Sequence, residues 1–149
     1  MIILVDADSC PKQARELVMR AAERTQTRAY FAANRPIPGI TGDFARILVC
    51  PAGEGSADNC LTELAGRGDL AVTRDLPLAA RLLEKGASVV DDRGRIYTAE
   101  NIRERLSLRD FTVGLAEKGF EFERTACYGK RELKAFADSF DRLLTGLLP

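Results

Sequence analysis

The sequence predicts an α/β protein in three layers, with a mostly parallel five-stranded sheet between helices, formed by residues 1–149 as a single domain. Three observations carry this. Short apolar runs alternate along the chain with segments of helical periodicity, and such alternation means right-handed βαβ crossovers. The first run, Ile2-Ile3-Leu4-Val5, is apolar throughout and reads as a buried parallel strand. A chain of 149 residues also removes about 70% of its unfolded surface from water, enough for one core. No internal repeat, low-complexity segment or linker divides it.

The elements follow in order. The first strand runs into Asp6-Ala7-Asp8, and Pro11 opens a helix to Arg24 whose Ala14, Leu17, Val18, Ala21 and Ala22 form one stripe. Arg28–Ala33 is a second strand. Asn34-Arg35-Pro36-Ile37-Pro38-Gly39 is a loop, because two prolines so close deny both helix and central strand. Arg46–Cys50 is a third strand, ended by Pro51, Gly53 and Gly55, after which Ser56 caps a helix from Ala57 to Ala65. Asp69–Thr73 is a fourth strand, leading through Arg74-Asp75 into a helix over Leu76–Lys85 closed by Gly86. Ala87–Val90 is the fifth strand, Asp92-Arg93-Gly94 a turn, and Arg95-Ile96-Tyr97 a short extended piece. Thr98 caps the next helix near Ala99, and Ser107-x-x-Asp110 resembles a second cap, which would split this region into two helices. The last helix, from about Lys130 to Leu144, places Leu133, Phe136, Ala137, Phe140, Leu143 and Leu144 on one face.

Composition narrows the function. Hydrophobic residues make up 46% and charged residues 30%, as in ordinary globular proteins. No apolar run approaches the ~20 residues of a membrane span, and no basic segment precedes Ile2 as in a signal peptide, so a cytoplasmic location is expected. Four cysteines, Cys10, Cys50, Cys60 and Cys127, lack CxxC spacing and read as reduced and buried. Net charge is zero, which argues against coating nucleic acid by bulk electrostatics but leaves room for a local basic rim. The 17 arginines outnumber 5 lysines, and Arg93, Arg95, Arg103, Arg105 and Arg109 fall in one stretch, interleaved with acids as on a solvated face. There is no histidine. That removes the commonest general base and metal ligand and every Ser-His or Cys-His mechanism.

Carboxylates are the machinery left. Asp6 and Asp8 follow the first strand, Asp58 lies in the first turn after Ser56, and Asp75 stands two residues past Thr73. In a parallel sheet these βα junctions share one edge, where ligands of open α/β sheets bind. Like charges there repel unless a cation or proton intervenes. An oxygen-rich site suits Mg²⁺ or Mn²⁺, which lowers the pKa of water and replaces the missing histidine. Each acid also has a structural reading. Asp75 suits an N-cap, Asp58 a helix dipole, and Asp8 a cap for the helix that Pro11 opens. Asp6 ends a buried strand and is too early to cap that helix. Ser9, Lys12, Asn34 and Arg74 stand at the mouths of these junctions as candidate phosphate contacts.

Val5-Asp6-Ala7-Asp8-Ser9-Cys10-Pro11 resembles the opening of the bacterial YaiI/YqxD family. So do Ala33-Asn34-Arg35-Pro36, Ala57-Asp58-Asn59, Gly68 to Ala79, and Asn101 to Phe111. The resemblance runs in order from Met1 to about Phe111 and more loosely beyond. The family is functionally uncharacterised and is similar to PIN domains, metal-dependent ribonucleases of α/β/α architecture. The resemblance implies a PIN-like fold. It also implies the PIN acids: one at the end of strand one, one in the middle, and one after a Thr-x-Asp strand end. Asp6, Asp58 and Asp75 match those roles, Asp8 is additional, and Asp91 lies nearest a fourth.

The leading expectation is therefore a Mg²⁺- or Mn²⁺-dependent nuclease acting on RNA. Asp6, Asp8, Asp58 and Asp75 would hold metal and activate water, while Lys12, Asn34, Arg74, Arg103 and Arg109 would hold substrate. One alternative is a non-catalytic PIN-like scaffold binding RNA, a nucleotide or a protein. Another starts from Asp6-x-Asp8 as in haloacid-dehalogenase-like phosphatases, with Asp6 as nucleophile and Asp8 as its acid/base partner. Against the phosphatase, Pro11 opens a helix at once and no acidic pair with a lysine follows.

Overall fold

The computed structural model describes residues 1–51, 53, 55–117, 119 and 127–149. Its strands are β1 (Ile3–Asp6), β2 (Ala29–Ala33), β3 (Ala45–Val49), β4 (Leu70–Val72), β5 (Ser88–Val90) and β6 (Ile96–Tyr97). The helices are α1 (Lys12–Thr25), α2 (Ser56–Leu64), α3 (Leu76–Glu84), α4 (Ala99–Glu117) and α5 (Lys130–Leu147), with a 3-10 turn at Ala7–Ser9. The α/β class and mostly parallel sheet are as expected.

The strand order is β3-β2-β1-β4-β5-β6. The first five strands run parallel, and the short extended piece at Ile96-Tyr97 joins the edge antiparallel to β5, making six strands rather than five. Asp91 makes that edge: its Oδ1 accepts the backbone N–H groups of Arg93 (2.9 Å) and Arg95 (2.8 Å), and its Oδ2 accepts the Tyr97 hydroxyl (3.3 Å). The order reverses between β1 and β4. The chain leaves β1 toward α1 on one face and β4 toward α3 on the other, which opens the crevice where such folds bind ligands.

Alternation along the strands decides the layers. Ile3, Val5, Phe31, Leu70 and Val72 pack with Val18 of α1 and Phe136 and Phe140 of α5. Leu4, Ala32, Ala71 and Val89 pack with Leu61 of α2, Leu78 and Leu82 of α3, and Ile102 of α4. Helices α1 and α5 thus cover one face and α2, α3 and α4 the other, giving the three layers.

Local chemistry corrects several expected boundaries. Helix α4 is continuous through Ser107. It is capped once, where the Thr98 hydroxyl accepts the Asn101 N–H (3.1 Å) and Asn101 Oδ1 accepts the Thr98 N–H (2.9 Å). Ser56 is the first residue of α2 rather than its cap, because Gly55, at φ +75°, makes the turn into it. Asp8 does not cap α1, whose first turn has no side-chain cap. Its Oδ2 instead accepts the Asn34 N–H at 3.2 Å. Cys10 and Cys50 are buried, but Cys60 is partly and Cys127 fully exposed. No helix among the described residues is long and apolar enough to cross a membrane.

Candidate functional site

Asp6 is the last residue of β1 and lies on the same side of the sheet as Leu4, toward α2 and α3. It is only 7% exposed. Its Oδ2 accepts two hydroxyls, Ser9 Oγ and Thr73 Oγ1, each at 3.0 Å. The second bond crosses the switch point from β4 to β1. Thr73 Oγ1 in turn accepts the Asp75 N–H at 3.1 Å, so one buried hydroxyl ties the backbone of Asp75 to the carboxylate of Asp6.

Asp75 caps α3 through Oδ1, which accepts the Leu78 N–H at 3.0 Å, and Pro77 suits the first turn. Asp58, half-buried in the first turn of α2, makes no side-chain hydrogen bond among the described residues. Next to it, Asn59 accepts Arg81 Nη2 of α3 at 3.0 Å, which fixes α2 against α3. Three junctions therefore deliver three carboxylates to one crevice. Asp75 keeps Oδ2, Asp6 keeps Oδ1 and Asp58 keeps both oxygens without a donor among the described residues.

The electrostatics agree with this convergence. Burial pushes the Asp6 carboxyl up, the Ser9 and Thr73 hydroxyls oppose that rise, and the charges of Asp58 and Asp75 add to it. Burial also raises Asp58, with Asp75 adding and Arg81 opposing. Two of the three acids are thus destabilised as anions by burial first and by neighbouring carboxylates second, the condition a cation relieves.

Among the described residues no three Asp, Glu, Cys or His side chains stand close enough together to hold one ion. The donors are nevertheless chemically suited to Mg²⁺ or Mn²⁺. Magnesium commonly uses only one or two carboxylates and keeps several waters. Asp6 with Asp75 or Asp58 would supply that number of carboxylates.

The remaining expected residues divide. Asp8 is exposed on the 3-10 turn and faces the end of β2 through Asn34. Lys12 is exposed and pairs loosely with Glu16 at 3.9 Å. Arg74 and Arg109 meet in a cleft of about 360 Å³ between the β4–α3 junction, the β5–β6 turn and α4, whereas Lys12, Asn34 and Arg103 do not line it. Asp91, the nearest fourth acid, has both oxygens engaged in the β5–β6 turn.

Asp92 escaped notice in the sequence because it reads there as turn polarity. It is 3% exposed, and among the described residues neither carboxylate oxygen has a hydrogen-bond partner. Burial pushes its carboxyl up, and Arg74, with Nη1 4.0 Å from Oδ2, opposes that. The only sequence signal was its place two residues past a parallel strand.

Fold and crevice together define an α/β/α protein with an acidic switch-point site. More specifically, the chain belongs to the family described as "Uncharacterized BCR, YaiI/YqxD family", whose model matches residues 4–146. A UPF0178 protein of Treponema pallidum (strain Nichols) is 45% identical over 148 residues, covering 99% of this chain and 84% of that protein. A UPF0178 protein of Treponema denticola is 44% identical, covering 99% and 94%, and one of Saccharophagus degradans 40%, covering 97% and 96%. No solved structure matches the chain.

Proposed function

We propose that this protein is a Mg²⁺- or Mn²⁺-dependent nuclease, PIN-like in character, that hydrolyses RNA phosphodiesters. The observation that carries the reading is the convergence of Asp6, Asp58 and Asp75 at the β1–β4 switch point, where burial and mutual repulsion disfavour the charged forms of Asp6 and Asp58. Asp6, with either Asp75 or Asp58, would hold the ion. When bound, a divalent ion supplies acidity to water and charge neutralisation to the phosphate. Ser9 and Thr73 fix the rotamer of Asp6 by bonding a single oxygen, which leaves the other directed by that constraint. Asp75 is fixed at both ends, its N–H on Thr73 and its Oδ1 on Leu78 N–H. Arg74, adjacent in sequence, is half exposed and placed to meet a phosphate oxygen.

Calorimetric titration with Mn²⁺ tests the site. The wild type is expected to bind stoichiometrically and Asp6→Asn to lose binding, with metal-dependent cleavage of a single-stranded RNA lost in parallel. Wild-type protein that binds no Mn²⁺ would defeat the assignment. A second reading, a scaffold that binds RNA without cutting it, is favoured by the lack of three closely grouped ligands among the described residues. RNA binding with no turnover in Mn²⁺ would select it.

A further inference from the structure

We infer that the cleft lined by Arg74, Arg93, Arg95, Arg105 and Arg109 is a subsite for the phosphate backbone of a single RNA strand passing out of the acidic crevice. This rests on the nuclease reading for its direction, but the binding itself does not require cleavage. The chain has no net charge, so five arginines lining one cleft are a local concentration rather than a general property. Arg93 is held by Glu132 (3.8 Å) and the Tyr128 ring, which leaves Arg74, Arg95, Arg105 and Arg109 for a ligand.

The two acids of the cleft do not cancel it. Asp91 is spent on the N–H groups of Arg93 and Arg95 and on the Tyr97 hydroxyl. Asp92 is sealed beneath the surface, with Oδ2 4.0 Å from Arg74 Nη1. A buried carboxylate without hydrogen bonds is a costly feature in a fold. Under this cleft it has a use, since it draws the guanidinium of Arg74 to the floor. Arg105 lies over the Tyr97 ring, 5.6 Å from its centroid, which holds its guanidinium in place. Among the described residues Arg109 pairs only with the neighbouring Asp110, itself 75% exposed, so that pair is readily exchanged for a phosphate.

Position and lining choose the ligand. Arg74 belongs to the cleft and Asp75 to the acidic site, so the two adjoin through one peptide bond. A strand whose reacting phosphate lies at the carboxylates therefore places a neighbouring nucleotide against the arginines. Leu76 and Leu108 add apolar wall beside the charges. That mixture suits a nucleotide unit, with its base and sugar, better than a bare inorganic anion.

The test is fluorescence anisotropy with a labelled twelve-residue oligouridylate in EDTA, so that no cleavage occurs. Arg95→Ala/Arg109→Ala removes two exposed arginines of the cleft, and Arg20→Ala/Arg28→Ala removes two exposed arginines elsewhere. The cleft variant is expected to bind at least tenfold more weakly, and its salt slope to fall by about 1.4, at roughly 0.7 per single-strand phosphate contact. The control is expected to change binding less than twofold. Because the assay is run in EDTA, a loss of binding confined to the cleft variant stands whether or not the wild type cleaves RNA in Mn²⁺, which separates this subsite from the cleavage assignment. Equal losses in both double variants, no saturable binding by the wild type, or displacement by inorganic phosphate as effective as by unlabelled oligonucleotide would each overturn the inference.

Discussion

Replacing Asp92 by Asn should stabilise this protein at neutral pH, although it removes one partner of an ion pair. The carboxylate is 3% exposed and neither oxygen has a hydrogen-bond partner among the described residues, while Arg74 lies at 4.0 Å and is 52% exposed. A buried polar group left unsatisfied costs about 1–3 kcal/mol, more when charged. An ion pair with a half-exposed arginine returns about 0–1 kcal/mol. Desolvation therefore wins. The amide of Asp92→Asn is still unsatisfied, so only the charge-specific part is recovered, about 1–2 kcal/mol. At roughly 2–4 °C per kcal/mol for a chain of this size, Tm should rise by about 2–8 °C.

The pH dependence identifies the cause. Burial raises the Asp92 carboxyl above its ordinary value of 3.8, so the folded chain holds this proton more tightly than the unfolded chain. Its stabilising contribution is complete below 3.8 and is lost as pH rises through the folded-state value. The advantage of Asp92→Asn should accordingly be small near pH 3.5 and full at pH 7. Thermal melts of both proteins from pH 3.5 to 8 measure it. A variant less stable at pH 7, or a difference independent of pH, would refute the reasoning and show that the attraction to Arg74 dominates.

Two further outcomes follow from the same structure. Thr73→Val keeps the shape but removes the hydroxyl that donates to Asp6 and accepts from Asp75 N–H. It should cost about 1–2 kcal/mol in denaturant melts and move the NMR titration of the Asp6 carboxyl further upward, whereas an unchanged Asp6 titration would mean that this bond does not position the acid. Gly94→Ala should destabilise by about 2–4 kcal/mol, because Gly94 has φ +86° and an added Cβ would collide with the Ala135 carbonyl. A near-neutral effect in urea unfolding would show that the β5–β6 turn shifts away from α5 at little cost.

Much of the candidate site was legible because its acids occupy positions that elementary rules mark. Asp6 ends a wholly apolar run, Asp75 stands in an N-cap position before Leu76-Pro77, and Asp58 lies in a first helical turn. Any mostly parallel sheet puts such junctions on one edge. Asp8 was misplaced as a cap because the three-residue 3-10 turn Ala7–Ser9 redirects its side chain, and nothing in Asp8-Ser9-Cys10 specifies that turn. Ser107-x-x-Asp110 satisfies a capping pattern, yet α4 runs through it: the helix starts at the Thr98–Asn101 cap and residues 107–113 continue it while exposed to solvent.

By itself the sequence determined the class of the fold, the order of its elements and the carboxylates available to it, because periodicity and end signals are local. The strand order was decided only in three dimensions. Nothing local places β1 beside β4, and that pairing alone brings the Thr73 hydroxyl to Asp6 and opens the crevice. The roles of Asp91 and Asp92 were decided there as well. Two consecutive acids are equivalent on paper, but the β5–β6 turn gives one three donors and the other none, because adjacent residues of a turn point in different directions.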